Sequence, residues 1–303
     1  MIAGLETGSL GVWCTTDGFD SVGAADFADQ LVALGYTALW LPETIGRDPF
    51  AHIAYLSARQ PGLTYATGIA NIYHRHPAAM AQAALTLAEQ SGRFTLGLGV
   101  SHASFVEGFR GLDYGKPLQA MTTYLDGLDA APFIGPTPGP LPRVLAALGP
   151  RMLALARERA DGALTYWATP EHTAMARRAL GPGATLCVEQ KVVLTQDPVI
   201  ARDTARGAMA IYKGLPNYRN HWLRIGFDAR DIDNDADSFL DALVAWGDPE
   251  TISRRIDAHR AAGADHVCIQ PLTPNHPFAV DRSALEALAS ATSMRNTTTP
   301  GRT

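Results

Sequence analysis

The chain has 303 residues, of which 47% are hydrophobic and 18% are charged, and its formal net charge is -5. This length is enough for two ordinary domains or for one α/β barrel, which typically needs roughly 250 residues. A slightly acidic chain offers no strong basic surface, so we expect neither nucleic acid nor an anionic membrane as a partner.

The cysteine pattern and the N-terminus indicate the compartment. Cys14, Cys187 and Cys268 are far apart and form no CxxC pair, and each lies in a hydrophobic stretch, which favours buried, reduced thiols. The first residues have neither the basic n-region nor the apolar h-region of a secretory signal. No run of 18 apolar residues is present to span a bilayer. We therefore expect a cytoplasmic protein.

Short hydrophobic runs predict eight strands, and a helical pattern follows each of them. The predicted strands cover residues 10–14, 38–41, a stretch that begins at 64, 94–100, 144–148, 163–166, 186–194 and 266–270. The predicted helices cover residues 24–34, 49–59, 77–91, 118–128, 150–160, a stretch that begins at 170, 199–213, 249–263 and 283–291.

Eight strand–helix units are the number expected for an α/β protein with a (β/α)8 TIM barrel fold. The one departure from a minimal barrel is a segment inserted between strands seven and eight, over residues 215–237. We expect a single domain over residues 1–291. The polar residues 292–303 are expected to form a flexible tail.

The third strand and the loop after it carry the most unusual sequence. Gly68 interrupts a run of β-branched and aromatic residues, which often marks a bulge. A polar and aromatic cluster, Asn71 to His76, then precedes a helix that Pro77 opens. Loops at the carboxyl ends of parallel strands carry the ligand in α/β proteins, although a packing glycine and a solvated loop would have the same sequence.

The sequence lacks the complete motifs of several other enzyme classes. Gly97 and Gly99 lack the third glycine and the position of a dinucleotide fingerprint, so they either leave room for a flat ligand or ease packing within the barrel. The His74-Arg75-His76 run has no converging ligands from other strand ends, and we predict no metal. No GxSxG elbow or Walker loop is present, which argues against an α/β-hydrolase and an NTPase.

The residues at the predicted strand ends form a large, mostly uncharged and aromatic lining, which suits a planar cofactor. They are Trp13, Glu43, Asn71, His102, Gly149, Trp167, Gln190 and Gln270. Trp13, Trp167 and Gln190 are the predicted substrate contacts, and core filling is the alternative for the two tryptophans.

The chain resembles the luciferase-like monooxygenase superfamily, and within it the branch of oxidoreductases that depend on the deazaflavin coenzyme F420. The matching segments are GIANIYHRHP (68–77), SGRFTLGLGVSH (91–102), AALGPRM (146–152), ADGALTYWATPEH (160–172), LPNYRNHWLRIGF (215–227), AWGDPE (245–250) and GADHVCIQ (263–270). Six matches in order around the barrel, with the last two segments counted as one, are more specific than any one of them.

The resemblance implies a cofactor across the carboxyl end of the barrel and a bulge with a non-prolyl cis peptide at Gly68–Ile69. It also implies cofactor contacts, through the backbone, from a set of residues on three loops. These are Gly68, Ile69, Ala70, Asn71, Val100, Ser101, His102, Ala147, Gly149 and Pro150. The last three precede a helix N-terminus, which favours phosphate.

One departure from the family's pattern concerns proton transfer. Sugar-phosphate dehydrogenases of this branch carry an acidic residue and a histidine after strand two and a glutamate after strand four. This chain has Glu43-Thr44 and His102 instead, so a glucose-6-phosphate substrate is not carried over. The hypothesis is that His102 or Glu43 acts as the catalytic acid or base.

The resemblance therefore predicts an enzyme that transfers hydride between coenzyme F420 and an unidentified organic substrate. One alternative is a monooxygenase that uses reduced FMN and dioxygen, and another is a flavin-binding protein without turnover. Residues 215–227 are expected either to close over the mouth of the barrel or to reach the anionic tail of the cofactor, unless they form only a surface hairpin. Pairing as a homodimer is inferred from the family alone.

Overall fold

A computed structural model describes residues 2–136, 138–139, 141–274 and 276–298. These residues form eleven strands in one sheet. The strands are β1 (Ser9–Trp13), β2 (Ala38–Leu41), β3 (Thr64–Thr67), β4 (Ala70–Asn71), β5 (Phe94–Gly99), β6 (Arg143–Ala146), β7 (Gly162–Thr165), β8 (Thr185–Leu194), β9 (Val244–Gly247), β10 (His266–Thr273) and β11 (His276–Val280).

Eight of these strands close into a parallel barrel, which confirms the predicted TIM barrel. The order around the barrel is β1, β2, β3, β5, β6, β7, β8 and β10. β10 closes it because it pairs on one side with β8 and on the other with β1, where His266 lies beside Ser9. All eight strands predicted from the sequence are therefore present.

Three strands lie outside that set and were not predicted. β4 continues β3 after a two-residue interruption and pairs with the end of β5. β9 runs parallel to the last residues of β8, and β11 folds back antiparallel on β10. Each is short and finds its partner only in the folded barrel, so the sequence alone gives little indication of it.

The helices that surround the barrel begin with local signals that the sequence contains. They are α1 (Ser21–Ala33), α2 (Pro49–Arg59), α3 (Pro77–Ser91), α4 (Ala103–Val106), α5 (Pro117–Asp129), α6 (Pro150–Arg159), α7 (Pro170–Leu180), α8 (Pro198–Lys213), α9 (Pro216–Arg224), α10 (Ala229–Asp233), α11 (Asp237–Leu243), α12 (Pro249–Ala261) and α13 (Arg282–Thr298). Proline occupies the first turn of eight of them, where its missing N–H costs no hydrogen bond. No helix within the described residues is long and apolar enough to cross a membrane.

The C-terminal prediction is only partly covered by the structure. The helix predicted over residues 283–291 continues to Thr298, so it includes the first part of the predicted tail. Residues 299–303 lie outside the described residues.

Side chains alternate between the inside of the barrel and the helix layer outside it. Trp40, Ala66, Leu164, Cys187 and Cys268 pack together inside the barrel. The larger outer core lies between the strands and the helices, where residues such as Phe27, Leu39 and Ile53 are fully buried. The three cysteines are buried free thiols, as predicted.

The predicted insertion forms a second, smaller core beside the mouth of the barrel. Helices α9, α10 and α11 lie in it, and Trp222, Ile232 and Phe239 are fully buried there. Four aspartates between residues 233 and 241 pair with basic residues of α8 and α9. The pairs are Arg202–Asp241, Arg206–Asp237, Lys213–Asp235 and Arg219–Asp233. The segment is thus packed onto the barrel as well as cross-linked within itself.

Candidate active site at the carboxyl end of the barrel

The bulge predicted in the third strand is present between β3 and β4. The Gly68–Ile69 peptide bond is cis, as the family resemblance implied. The Trp13 indole donates to the Gly68 carbonyl at 2.6 Å, and the Glu43 N–H donates to the Ile69 carbonyl at 3.1 Å. Groups from β1 and from the end of β2 therefore fix the two carbonyls of the bulge, while the Ile69 side chain stays partly exposed at the mouth.

The Glu43 carboxylate is bound to the same loop and is not free in the mouth. One oxygen accepts the Asn71 N–H at 2.8 Å, and the other lies 2.5 Å from the Arg75 guanidinium and 3.3 Å from His74 Nδ1. Arg75 also pairs with Asp48. Both oxygens are occupied by these contacts, which assign Glu43 to holding the loop in place and leave little reason to expect proton transfer from it.

The other polar side chains of this loop also have local partners. The Asn71 amide contacts His74 Nε2 at 3.0 Å and accepts the Tyr73 N–H at 3.0 Å. His76 Nδ1 accepts the Ala78 N–H at 3.2 Å and so caps α3. In the described part of the chain, no group of three or more His, Cys, Asp or Glu side chains is arranged to hold a metal ion.

The glycines of this region serve packing rather than space for a ligand. A Cβ on Gly97 would lie 1.9 Å from the Thr67 carbonyl oxygen, and one on Gly99 would lie 2.5 Å from the Ile69 side chain. A Cβ on Gly68 would lie 2.7 Å from the Trp13 indole nitrogen. The suggestion that Gly97 and Gly99 make room for a flat ligand is therefore wrong, because the bulged third strand itself fills that space.

The end of β5 carries His102 on a tightly bent backbone. Ser101 has φ of 53°, a left-handed conformation that is uncommon outside glycine, and its carbonyl accepts the Tyr114 hydroxyl at 2.9 Å. The His102 ring is partly exposed and lies 5.6 Å from the Tyr218 ring. Burial lowers the pKa of His102, and a side-chain hydrogen bond to Asn217 acts in the opposite direction. A partly exposed imidazole beside the bulge remains available for proton transfer.

Helix α9 covers the mouth, which is one of the two outcomes expected for residues 215–227. Tyr218 packs against Tyr166 and His102, with ring centroids 6.2 and 5.6 Å away. Trp222 is fully buried between Trp167 and Phe239. The helix is thus attached by aromatic contacts to the ends of β5 and β7.

The N-terminus of α6 lies at the rim of the mouth close to α9. Gly149 provides no capping side chain and Pro150 follows it, so N–H groups of the first turn lack a side-chain acceptor. The Arg224 guanidinium of α9 is the nearest group to Gly149, 3.6 Å from the position that a Cβ would take. Ala147 is buried just before this turn. A helix N-terminus and a guanidinium therefore converge at this rim, and both favour an anion.

Two buried histidines connect this rim to the covering helix. His172 Nε2 donates to the Leu148 carbonyl at 3.0 Å, and the His172 and His221 rings are 4.3 Å apart. Burial lowers the pKa of His172 to about 4 and that of His221 to about 3. Both rings are neutral at physiological pH and act as packing groups between α7 and α9.

The three predicted substrate contacts have different positions. Trp13 lies at the bulge with its ring 5.2 Å from Tyr166, which places it in the mouth. Trp167 is buried under α9 and has φ of 54°. Gln190 faces the helix layer, where it donates to the Leu243 carbonyl at 3.1 Å and accepts from His259 at 2.8 Å. The structure therefore corrects the placement of Gln190, because residues on a strand alternate between its two faces.

The neighbours of Gln190 are the charged residues that point into the barrel, and the sequence reasoning missed them. Glu189 and Lys191 are each 1% exposed, and Lys191 Nζ lies 3.0 Å from a Glu189 carboxylate oxygen. The ammonium also lies 3.6 Å from the Tyr166 ring centroid and 3.8 Å from that of Trp167. Two charges in an otherwise apolar strand were the available signal, because such residues are almost never fully buried unless they are paired.

Solved structures with the same fold belong to enzymes that use F420 or FMN. A coenzyme F420 dependent tetrahydromethanopterin reductase from Methanopyrus kandleri superposes with a TM-score of 0.73 at 18% identity, over 93% of this chain and 97% of that one. The oxygenating constituent of 3,6-diketocamphane monooxygenase from Pseudomonas putida, solved with FMN, gives a TM-score of 0.66 at 16% identity, over 93% and 95% of the two chains.

One protein found by sequence comparison has a higher identity to this chain than these two structures have. A Mycobacterium tuberculosis protein named a coenzyme F420-dependent oxidoreductase is 29% identical over 258 residues, 71% of this chain and 73% of the relative. The model of the luciferase-like monooxygenase family matches residues 9–266. The chain belongs to the luciferase-like monooxygenase family.

Proposed function

We propose that this protein is an oxidoreductase that transfers hydride between the deazaflavin coenzyme F420 and a small organic substrate. The name of the Mycobacterium tuberculosis relative supports the choice of coenzyme. When bound, the deazaflavin supplies a carbon that accepts or donates the hydride. The protein supplies the binding, the orientation of the ring and the movement of protons.

The observation that carries this proposal is a partly exposed wall beside the bulge with an anion-favouring rim near it, an arrangement that suits an elongated, anionic, tricyclic cofactor. Ile69, Val100, Ser101 and His102 are partly exposed along one wall, on the loops after β3 and β5. The uncapped first turn of α6 and Arg224 lie at the rim. In the proposal the ring rests against the bulge at Gly68, Ile69, Ala70 and Asn71, and the phosphate side of the tail meets Ala147, Gly149 and Pro150.

Of the two residues predicted as catalytic acid or base, His102 is the one available for proton transfer on the cofactor side of the mouth, and Glu43 is a positioning residue. His102 keeps a partly exposed ring beside the wall of the mouth, whereas Glu43 already holds Asn71, His74 and Arg75. Burial favours the neutral imidazole, so His102 is in the unprotonated form that can act as a base.

A homodimer in the cytoplasm, acting on a small molecule, completes the proposal. The three free, buried cysteines are consistent with a reducing compartment. Sedimentation velocity of the purified chain tests the dimer directly, because it reports the mass of the species in solution. A monomer would give about half the mass of a dimer.

Fluorescence titration of the purified protein with coenzyme F420 and with FMN tests the choice of cofactor. We expect clear saturation by the deazaflavin and much weaker binding of FMN. Arg224→Ala should weaken F420 binding about 10-fold, because a charge near a helix N-terminus stabilises a bound anion. Arg230→Ala, at an exposed position of α10 in the same insertion, is the matched control and should bind like the parent.

The second candidate is a monooxygenase that uses reduced FMN and dioxygen, and the structural similarity to an FMN-bound monooxygenase favours it. Preferred binding of FMN, with oxygen consumption in the presence of reduced flavin, would replace the first proposal with this one. Cofactor binding without turnover of any substrate would favour a flavin-binding protein. Binding of neither cofactor would contradict all three functions.

A further inference from the structure

A hydrogen-bonded group of three side chains lies on the far wall of the mouth, at the ends of β7, α8 and β10. The Tyr166 hydroxyl is 3.0 Å from the Tyr212 hydroxyl and 3.0 Å from the Gln270 amide oxygen. All three residues are partly exposed, whereas the side chains around them are buried. The amide oxygen can only accept, so Tyr166 donates to Gln270 and accepts from Tyr212. We call these three residues the phenol–amide group.

The phenol–amide group is close to the wall that the cofactor is proposed to occupy. The Tyr166 ring is 5.2 Å from that of Trp13, whose indole binds the Gly68 carbonyl at 2.6 Å. The Tyr218 ring bridges the two walls, 6.2 Å from Tyr166 and 5.6 Å from His102. A small molecule that displaced Tyr218 would therefore contact both walls at once.

A buried ion pair lies directly behind the phenol–amide group. Lys191 Nζ lies 3.6 Å from the Tyr166 ring centroid, and Glu189 neutralises it at 3.0 Å. The second Glu189 carboxylate oxygen has no hydrogen-bond partner among the described residues. Burying such a pair seldom stabilises a fold, because the cost of removing two charges from water offsets their attraction. A role in the site is the better explanation for keeping a cation against the face of one phenol.

The charge state of this wall limits the kind of substrate. Burial raises the pKa of Tyr166 well above its usual range, so the phenol carries its proton at neutral pH. Burial lowers the pKa of Lys191 to about 8 and raises that of Glu189. Both shifts reduce the free-energy difference between the ionic form of the pair and its neutral form. In either form the pair has no net charge, so the wall favours an uncharged ligand with an oxygen that can exchange hydrogen bonds.

We propose that Tyr166 is the residue that exchanges the proton with the substrate oxygen, that Tyr212 and Gln270 orient it, and that Lys191 stabilises its deprotonated form. The substrate class is an uncharged carbonyl compound or the matching alcohol. This inference rests on the proposed hydride-transfer function and deepens it.

The reductive step balances as follows in atoms and charge. The carbonyl carbon of the substrate receives a hydride, with both electrons, from the reduced deazaflavin, and the C=O π bond breaks towards oxygen. The oxygen takes the hydroxyl proton of Tyr166, which gives the alcohol and leaves a phenolate. The Lys191 ammonium would stabilise this phenolate. The proton that the deazaflavin loses on oxidation passes to solvent, and one proton from solvent at the partly exposed mouth restores the phenol, so no net charge remains. Oxidation of the alcohol is the reverse.

The first experiment compares Tyr166→Phe with the parent chain and with Tyr55→Phe, a control at an exposed position of α2. Each is titrated with F420 by fluorescence and then assayed with reduced F420 on a panel of uncharged ketones and aldehydes. We expect unchanged F420 affinity for all three proteins and a loss of turnover of about 100-fold or more for Tyr166→Phe alone. His102→Gln should retain more activity than Tyr166→Phe.

Several results would overturn the inference, and they differ from failure of the proposed function. Turnover by Tyr166→Phe within about 3-fold of the parent, or activity confined to charged substrates, rejects Tyr166 or the substrate class while F420 binding stands. A parent chain that does not bind F420 rejects the proposed function itself. A fall in F420 affinity for Tyr166→Phe that accounts for all of the lost turnover makes Tyr166 a binding residue only.

A second measurement needs no cofactor. The ultraviolet titration of tyrosine phenols is compared for the parent chain, for Tyr166→Phe, and for the paired change Glu189→Gln with Lys191→Met, which removes the cation without leaving an unpaired charge. We expect the transition that is missing in Tyr166→Phe to move to higher pH in the paired variant. An unmoved transition would overturn the role of Lys191.

Discussion

At the scale of single residues, the main distinction in the mouth is between groups that hold the loop and groups that remain available. Glu43 accepts hydrogen bonds from the Asn71 backbone and pairs with Arg75, so it fixes the loop after β4. Glu43→Gln should lower the free energy of unfolding by about 1–3 kcal/mol, because the paired arginine loses a buried charged partner. Urea unfolding measures this, and F420 titration should show weaker binding rather than lost chemistry.

The control for Glu43 is a carboxylate in an exposed pair. Glu250 faces Arg254 one turn along α12, and its side chain is 78% exposed. Glu250→Gln should change the stability by less than about 0.5 kcal/mol, because water screens such a pair. If Glu43→Gln abolished turnover with stability and cofactor affinity intact, Glu43 would be catalytic and the positioning role would be wrong.

Glycine positions give a second prediction at this scale. Gly97→Ala should lower the free energy of unfolding by about 1–3 kcal/mol or more, because the new methyl group meets the Thr67 carbonyl. Gly207→Ala, on the exposed side of α8 with open space around it, should instead stabilise the protein by about 0.5–1 kcal/mol. Chemical denaturation measures both, and equal effects would contradict the close packing of the bulge against β5.

At the scale of elements, we expect α9 to detach locally while the barrel stays folded. Trp222 is its deepest anchor, between Trp167 and Phe239. Trp222→Ala should lower the free energy that holds α9 against the barrel by about 3–5 kcal/mol. Hydrogen exchange followed by mass spectrometry should show faster exchange of the α9 amides, with the barrel strands protected as before.

Leu223, the next residue on α9, provides the matched comparison because it is 39% exposed. Leu223→Ala should leave the exchange of α9 close to that of the parent. Uniformly faster exchange throughout the barrel in Trp222→Ala would mean that α9 and the barrel unfold as one unit, contrary to the prediction.

At the scale of the whole molecule, neutral buried histidines control the response to acid. Burial lowers the pKa of His52 and His172 to about 4 and that of His221, His259 and His266 to about 3. In the unfolded chain each has a pKa of about 6.5, so the unfolded state binds more protons below that pH. The stability is fully present above about pH 6.5 and falls by about 1.4 kcal/mol per pH unit for each such histidine.

The prediction is a steep loss of stability between about pH 6.5 and pH 5, with acid unfolding before the folded-state pKa values are reached. Urea midpoints measured across this range test it. His259→Gln should make the pH dependence shallower, because it removes one neutral buried ring. A stability that stayed flat down to pH 5 would show that the buried rings bind protons in the folded state.

The sequence predicted the barrel well because each strand is a hydrophobic run bounded by a proline or glycine signal. It could not predict which side chains of a barrel strand face inward. β8 is buried on both faces, so polarity does not reveal the alternation. Gln190 was predicted to face the mouth, whereas Glu189 and Lys191 point inward. The resemblance placed the bulge at Gly68–Ile69 correctly. The ion pair between Glu43 and Arg75 could not be predicted, because only the fold brings the two side chains together.

β8 has a consequence for how this protein can diversify. Its last residues pair with β9, so the chain leaves the barrel after Leu194 and returns to the same strand at Val244. The two ends of the excursion that carries α8 to α11 are therefore neighbouring strands, about 5 Å apart. Such an excursion can be lengthened, shortened or exchanged for another without disturbing closure of the barrel, because its ends need not move. The segment that covers the mouth can therefore change in length and sequence while the eight strands of the barrel keep their positions.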